Sequence, residues 1–282
     1  MGGRERAKGI LFGTAGIPRS SPEPTSWGGI QRVKELGLGC MELEFVYGVR
    51  MNNQTALMVH ETALRHDIKL SAHCPYYINL NSRKPGTVES SRRQIIKTGQ
   101  IAFQCGATSI TFHAAFYMGD TPEKVYRVVR DNLIQVMGVL KEENINLWIR
   151  PEISGKTGSF GTLDEILGLS SEIPGIAPCI DFSHWYARQT GFNTYPEFSG
   201  LLKKVERKLG TASLESMHLH VSGIQYGKSG ENKHLNLKES NFNYIELLQA
   251  LIDNGCSGLL ICESPNLEDD ALLLQETYHK LS

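Results

Sequence analysis

Asp181 and His184 stand three residues apart in CIDFSHWYA, just after the apolar run GIAPCI. A carboxylate and an imidazole at the end of a strand are ligand types for a divalent cation. The arrangement recurs along the chain. His73 follows KLSA, His113 follows SITF, Glu152 follows NLWIRP, and Glu263 follows GLLIC. His218 lies in SMHLHVSG, and His234 lies in the polar stretch behind it. These eight residues exceed the four ligands that satisfy one structural zinc, so they point to several ions with Glu152 or Glu263 bridging. Nitrogen and oxygen donors without thiolate suit Zn²⁺, with Mn²⁺ or Fe²⁺ as alternatives. Two close metals stabilise both oxygens of a phosphoryl displacement and lower the pKa of bound water. Any one of these histidines, taken alone, is more often a hydrogen-bonded structural residue. Their recurrence at equivalent strand ends carries the reading. His220 shares a strand face with His218, where it could serve as an extra ligand, though a supporting or packing role is the stronger reading. Glu42 and Glu44 also share a face; Glu44 could reach the rim, and an ion pair inside the barrel mouth accounts for it equally well.

Such residues meet only if the strands are parallel and their ends form one rim. Apolar strand-like runs over 9–16, 40–48, 69–77, 107–116, 146–152, 175–184, 216–223 and 258–265 alternate with helical stretches over 28–37, 52–66, 89–105, 121–143, 162–171, 195–209, 241–253 and 268–280. Thr121 followed by Pro122 and Glu123 marks a helix start. Alternation of this kind predicts a parallel sheet covered on both faces. Eight strand–helix pairs without a composition break predict one (β/α)₈ TIM barrel over residues 1–282, with the site at the C-terminal ends of the strands. A doubly wound open sheet is the runner-up, but GTAGIPRSS lacks the GxGxxG turn it requires.

The 282 residues are 40% hydrophobic and 21% charged with a net charge of −1, so any nucleic-acid contact needs a local basic patch rather than a global field. Six cysteines without a CxxC pair suggest a reducing cytoplasm and no disulfide framework. The charged start MGGRERAKGILF does not read as a signal peptide, and no run approaches the ~20 apolar residues of a membrane span.

The motifs HCPYYINL (73–80), ITFHAA (110–115), RPEISGKTGSFG (150–161), CIDFSH (179–184), MHLHVSG (217–223), HLNLKES after His234 and ICESPN (261–266) resemble endonuclease IV, closest to its archaeal type. The match is collinear over nearly the whole chain. It implies a zinc-dependent apurinic/apyrimidinic endonuclease that hydrolyses the phosphodiester 5′ to an abasic sugar, leaving a 3′-hydroxyl and a 5′-deoxyribose phosphate. By position, it implies that His73 and His113 bind one metal and that Glu152 bridges it to a second. The resemblance further implies that Asp181, His218 and Glu263 hold the second, and that His184 and His234 hold the third. Glu152 and Glu263 would orient the attacking hydroxide, and Tyr76 and Asn79 fall at loop positions near DNA. The implied cofactor is two or three Zn²⁺, and the implied partner is double-stranded DNA with abasic sites, met by a cytoplasmic monomer without membrane contact.

Three departures stand out. Asn232 occupies the place of the family's aspartate two residues before the last histidine ligand, and a neutral amide there would weaken the implied third metal site. HAA at 113–115 replaces HPG, and His220 stands where asparagine is usual. Arg19, Arg50, Arg83, Lys84, Lys156, Arg188, Lys228 and Lys233 are expected on rim loops, with Tyr76, Tyr77, Phe116, Tyr117, Trp185, Tyr186 and Tyr226 as aromatic neighbours. Two other readings compete. A sugar isomerase or epimerase of the same barrel would use Glu152, Asp181, His218 and Glu263 around one metal. A non-catalytic nucleic-acid binder would have lost metal through Asn232.

Overall fold

The computed structural model describes residues 9–282; residues 1–8, part of the stretch on which the signal-peptide reading rests, lie outside it. Eight parallel strands form the barrel: β1 (Ile10–Ala15), β2 (Cys40–Glu44), β3 (Lys69–His73), β4 (Ser109–Phe112), β5 (Trp148–Pro151), β6 (Cys179–Asp181), β7 (Met217–Val221) and β10 (Gly258–Cys262). They pair in the order β5-β4-β3-β2-β1-β10-β7-β6. Among the described residues, the seam between β5 and β6 is closed by the parallel bridges Ile149–Ile176 and Glu152–Cys179 and by the Arg150 guanidinium donating to the Pro178 carbonyl at 2.8 Å. The helices are α1 (Ser26–Glu35), α2 (Asn53–His66), α3 (Pro85–Gln104), α4 (Pro122–Glu142), α5 (Leu163–Glu172), α6 (Phe182–Gln189), α7 (Tyr195–Leu209), α8 (Tyr244–Asp253) and α9 (Glu268–Leu281). Among the described residues, no helix is long and apolar enough to cross a membrane.

Local chemistry sets several of these boundaries. Thr121 caps α4 by accepting the Lys124 N–H, with Pro122 at the first turn. Thr162 and Glu165 form a reciprocal capping box on α5. The main apolar core lies between strands and helices, as in Phe12, Leu70, Phe112, Ile149, Leu219 and Leu260. Inside the barrel the filling is split. Cys40, Leu259 and Ile261, with Leu11 and Ala15, make a small apolar plug, whereas Glu42, His218, His220, Asp181 and Glu152 are buried polar groups.

Two elements differ from the sequence reading. The stretch after β7 is not a loop but an antiparallel hairpin, β8 (Gly223–Gly227) and β9 (Gly230–Leu235). Glycines at 223, 227 and 230 suppress strand propensity there, and pairing restores it. In addition, FSHWYARQ is the helix α6, joined to β6 without a loop.

Gly13 shows how closely the barrel staves approach. A Cβ there would lie 1.9 Å from the Cys40 carbonyl oxygen. Gly13→Ala must push β1 and β2 apart, so the variant should lose about 1–3 kcal/mol or more, measurable by urea unfolding.

Candidate metal centre

Barrel register decides which side chains meet. β6 pairs with β7 so that Asp181 lies beside His220 and Cys179 beside His218. β2 pairs with β3 so that Glu44 lies beside His73. Side chains alternate with period two, so the inward residues of neighbouring strands form layers.

His73, His113 and Glu152 bring ligand atoms within 4.8 Å of one another, as do Glu152, Asp181, His220 and Glu263, and again His184, His234 and Glu263. Glu152 and Glu263 each belong to two groups, so the three sites merge into one centre. Glu152 stands just past β5, with His73 Nε2 at 3.3 Å, His113 Nε2 at 3.6 Å, His184 Nδ1 at 3.2 Å and His220 Nδ1 at 3.5 Å. Glu263 lies 3.2 Å from His220 Nδ1, and its backbone carbonyl lies 3.2 Å from His234 Nδ1.

The three-residue spacing of Asp181 and His184 has a local cause. Asp181 ends β6 and caps α6, where one carboxylate oxygen accepts the His184 N–H at 2.7 Å. The other oxygen lies 3.2 Å from His184 Nδ1. One side chain thus starts the helix and fixes the imidazole that the helix presents.

The second histidine of MHLHVSG, His220, enters the four-ligand group. His218, assigned to it by the sequence reading, lies one layer deeper. Its Nε2 is 3.0 Å from Glu42, and its Nδ1 is 3.1 Å from Ser109 Oγ. Periodicity places both histidines inward, and only strand register chooses between them. Glu42 also lies 3.0 Å from His220 Nε2 and accepts the Ser71 hydroxyl at 2.7 Å. Sequence reasoning also missed Glu231, whose carboxylate lies 3.4 Å from His184 Nε2. Asn232 is exposed.

The donors fit divalent cations. His113 Nδ1, Glu152 Oε1, Asp181 Oδ2 and His220 Nδ1 are buried without a hydrogen-bond partner among the described residues. His184 Nε2 and His234 Nε2 are 3.2 Å apart, close to the edge of about 3.3 Å that a tetrahedron with zinc–nitrogen bonds of ~2.0 Å requires.

Charge within the centre is strongly coupled. Burial alone would raise the pKa of Glu152, but the His113, His184 and His220 imidazoles overcome it and hold the carboxylate well below its usual range. Burial raises Asp181 to about 7, against the pull of His184 and with repulsion from Glu263 and Glu152. Burial would lower His73, but the Glu152 hydrogen bond and neighbouring carboxylates raise it to about 10. Cations bind deprotonated ligands and so displace these protons. Zinc uptake should therefore release protons. Apparent affinity should climb with pH most steeply below about 7, where both Asp181 and His73 hold protons, less steeply from about 7 to about 10, where only His73 does, and level off above. Titration calorimetry in buffers of different ionisation enthalpy checks both.

The rim differs in part from its sequence reading. Tyr76 is 53% exposed and packs edge-on against exposed Tyr47. Tyr77, Phe116 and Tyr226 are exposed too, but Trp185 and Tyr186 are buried because α6 turns them inward. Trp185 stacks on Phe192, and Tyr186 packs under Tyr226. The Asn79 side-chain oxygen accepts the Asn81 and Phe116 N–H groups. Arg188 ties down the 154–159 loop through the carbonyls of Ser154, Lys156 and Ser159, and Arg83 bonds the Met118 carbonyl. Arg50, Lys84, Lys156, Lys228 and Lys233 are exposed.

Residues 30–279 match the family described as xylose isomerase-like TIM barrel. An uncharacterized protein of Methanocaldococcus jannaschii is 45% identical over 273 residues, which is 96% of this chain and 98% of that one. A probable endonuclease 4 of a Geobacillus species is 26% identical over 188 residues, covering 64% of this chain and 60% of the relative. Among solved structures, endonuclease IV from Thermus thermophilus superposes with a TM-score of 0.75 at 15% identity, over 95% of this chain and 98% of the other. A D-tagatose 3-epimerase-like protein superposes with a TM-score of 0.72 at 17% identity, over 95% of this chain and 96% of the other. At such identities the two superpositions show a shared fold.

Proposed function

The chain belongs to the xylose isomerase-like TIM barrel family, whose fold is common to endonuclease IV and sugar epimerases; from that premise we propose that it is a divalent-metal phosphodiesterase incising double-stranded DNA 5′ to abasic sites. The observation that carries this reading is the surplus of ligands. His73 and His113 on one side, and His184 and His234 on the other, extend the Glu152–Asp181–His220–Glu263 group on the same rim. A one-metal site has no use for them. The nitrogen and oxygen donors suit two or three Zn²⁺, with Mn²⁺ or Fe²⁺ as alternatives. Such ions supply Lewis acidity for the phosphoryl oxygens and make water nucleophilic near neutral pH.

The chain's own groups do the positioning. Glu152 and Glu263, each shared between two ligand groups, aim the attacking water. Tyr76, exposed on the loop after β3, offers a ring to stack where a base is missing, and Asn79 holds that loop in shape. Exposed Arg50, Lys84, Lys156, Lys228 and Lys233 supply phosphate contacts. We read the active unit as a single-domain, cytoplasmic monomer.

The four-residue group taken alone would serve a sugar isomerase or epimerase, so this is the second reading. Metal-replete protein should be incubated with a duplex carrying one abasic analogue and, in parallel, an intact duplex. Incision of the damaged strand alone, lost in Glu263→Gln and falling steeply with added salt, supports the phosphodiesterase. One bound metal with no incision supports the isomerase, and no metal supports a non-catalytic binder.

A further inference from the structure

We propose that Glu231, carried inward by a bulge in the β8–β9 hairpin, is a further carboxylate ligand of the His184–His234 cation beside Glu263, and that Asn232 is not a ligand. The inference rests on the multi-metal reading above and identifies which side chain completes one of its sites.

The hairpin register carries it. Ile224 pairs with His234 and Gln225 with Lys233, but Tyr226 pairs with Glu231, which leaves Asn232 as the extra residue of a bulge. In a regular strand Asn232 and His234 would share a face, because side chains alternate. One inserted residue moves that partnership to Glu231 and His234. The side chains follow. Glu231 Oε2 lies 3.4 Å from His184 Nε2, and Oε1 lies 3.9 Å from His234 Nε2. Asn232 is exposed, and its amide lies over Gly227, where a Cβ would meet Nδ2 at 3.4 Å. Glu231 thus returns an anionic oxygen to the site from which Asn232 withholds one.

Two glycines hold Glu231 there. Its N–H donates to the Gly155 carbonyl at 3.1 Å, and Lys156 bridges to Gly230. A Cβ on Gly155 would lie 2.7 Å from Glu231 Cβ and 3.0 Å from Oε2. A Cβ on Gly230, whose φ is +88°, would lie 2.0 Å from the Gly155 oxygen. The hairpin tip and the loop after β5 therefore interlock, and only glycine fits on either side.

The test is metal content and affinity in zinc-loaded, dialysed full-length protein, by plasma mass spectrometry and by competition with a chromophoric chelator. Circular dichroism controls for folding. Glu231→Gln should lose one zinc equivalent or bind it at least about tenfold more weakly. Asn232→Ala should keep the wild-type count. Gly155→Ala leaves the ligand intact but displaces it, and should weaken the same equivalent. Unchanged zinc in Glu231→Gln, or loss in Asn232→Ala alone, overturns the inference and leaves the phosphodiesterase reading standing. Wild-type protein that binds one zinc or none instead overturns that reading, and this inference with it.

Discussion

Glu152→Gln should remove two metal groups at once and reduce incision of an abasic duplex by roughly 10⁴-fold or more. Its carboxylate is common to the His73–His113 group and to the Asp181–His220–Glu263 group. Four imidazoles face it within 3.6 Å. An amide supplies a neutral oxygen in place of an anionic one, so both groups weaken together, and metal analysis should show the loss before any assay does. The variant also has a signature in metal-free protein. Glu152 is 1% exposed, and removing one partner of a buried charge cluster costs about 3–5 kcal/mol. His73, whose folded pKa lies near 10, contributes stability that is complete below its unfolded value of 6.5 and lost as pH rises through about 10. The gap between wild type and variant in chelator should therefore be widest at and below neutral pH and narrow toward pH 10. A constant gap across that range would contradict the assigned pairing.

The second large effect falls on a residue remote from any substrate. Glu42→Gln should weaken zinc at the Glu152–Asp181–His220–Glu263 group by about 10- to 100-fold while leaving the His184–His234 site near wild type. Glu42 lies 3.0 Å from the Nε2 atoms of both His218 and His220. Burial would push this carboxyl up, but the two imidazoles hold it well below the usual range. A carboxylate there accepts only from N–H, so it would keep the His220 proton on Nε2 and free Nδ1 for a cation in the centre. The amide presents N–H to one of two N–H donors, and that imidazole must flip or turn. Chelator competition resolves the two classes of zinc. Equal weakening of both classes would indicate general disruption, and no weakening would remove Glu42 from the path.

The barrel is legible because its strands and helices differ in apolar period and follow one another without interruption. The strand-end residues His73, His113, Glu152, Asp181, His184 and Glu263 are legible for the same reason: a parallel barrel offers one rim. What escapes a sequence reading are features set by pairing rather than by pattern. His218 and His220 have identical periodicity, and the β6–β7 register alone separates them. Glu231 and Asn232 exchange roles through one inserted residue that no propensity marks. Glu42 reads as one end of an ion pair inside the fold, but only the fold names its partners as two imidazoles. The hairpin is hidden by its glycines. Trp185 and Tyr186 read as rim aromatics as long as α6, which buries them, passes for the tail of a strand.

The β5–β6 closure has a mechanical consequence. Among the described residues, isolated bridges and the Arg150–Pro178 hydrogen bond join these staves in place of a continuous ladder, yet Glu152 stands on one side of the gap and Asp181 and His184 on the other. A cation gripped from both banks would work as a clasp on this joint of the hoop. Metal binding and closure would then share one fastening, and stripping the ions would slacken the wall at the very stave that carries Glu152.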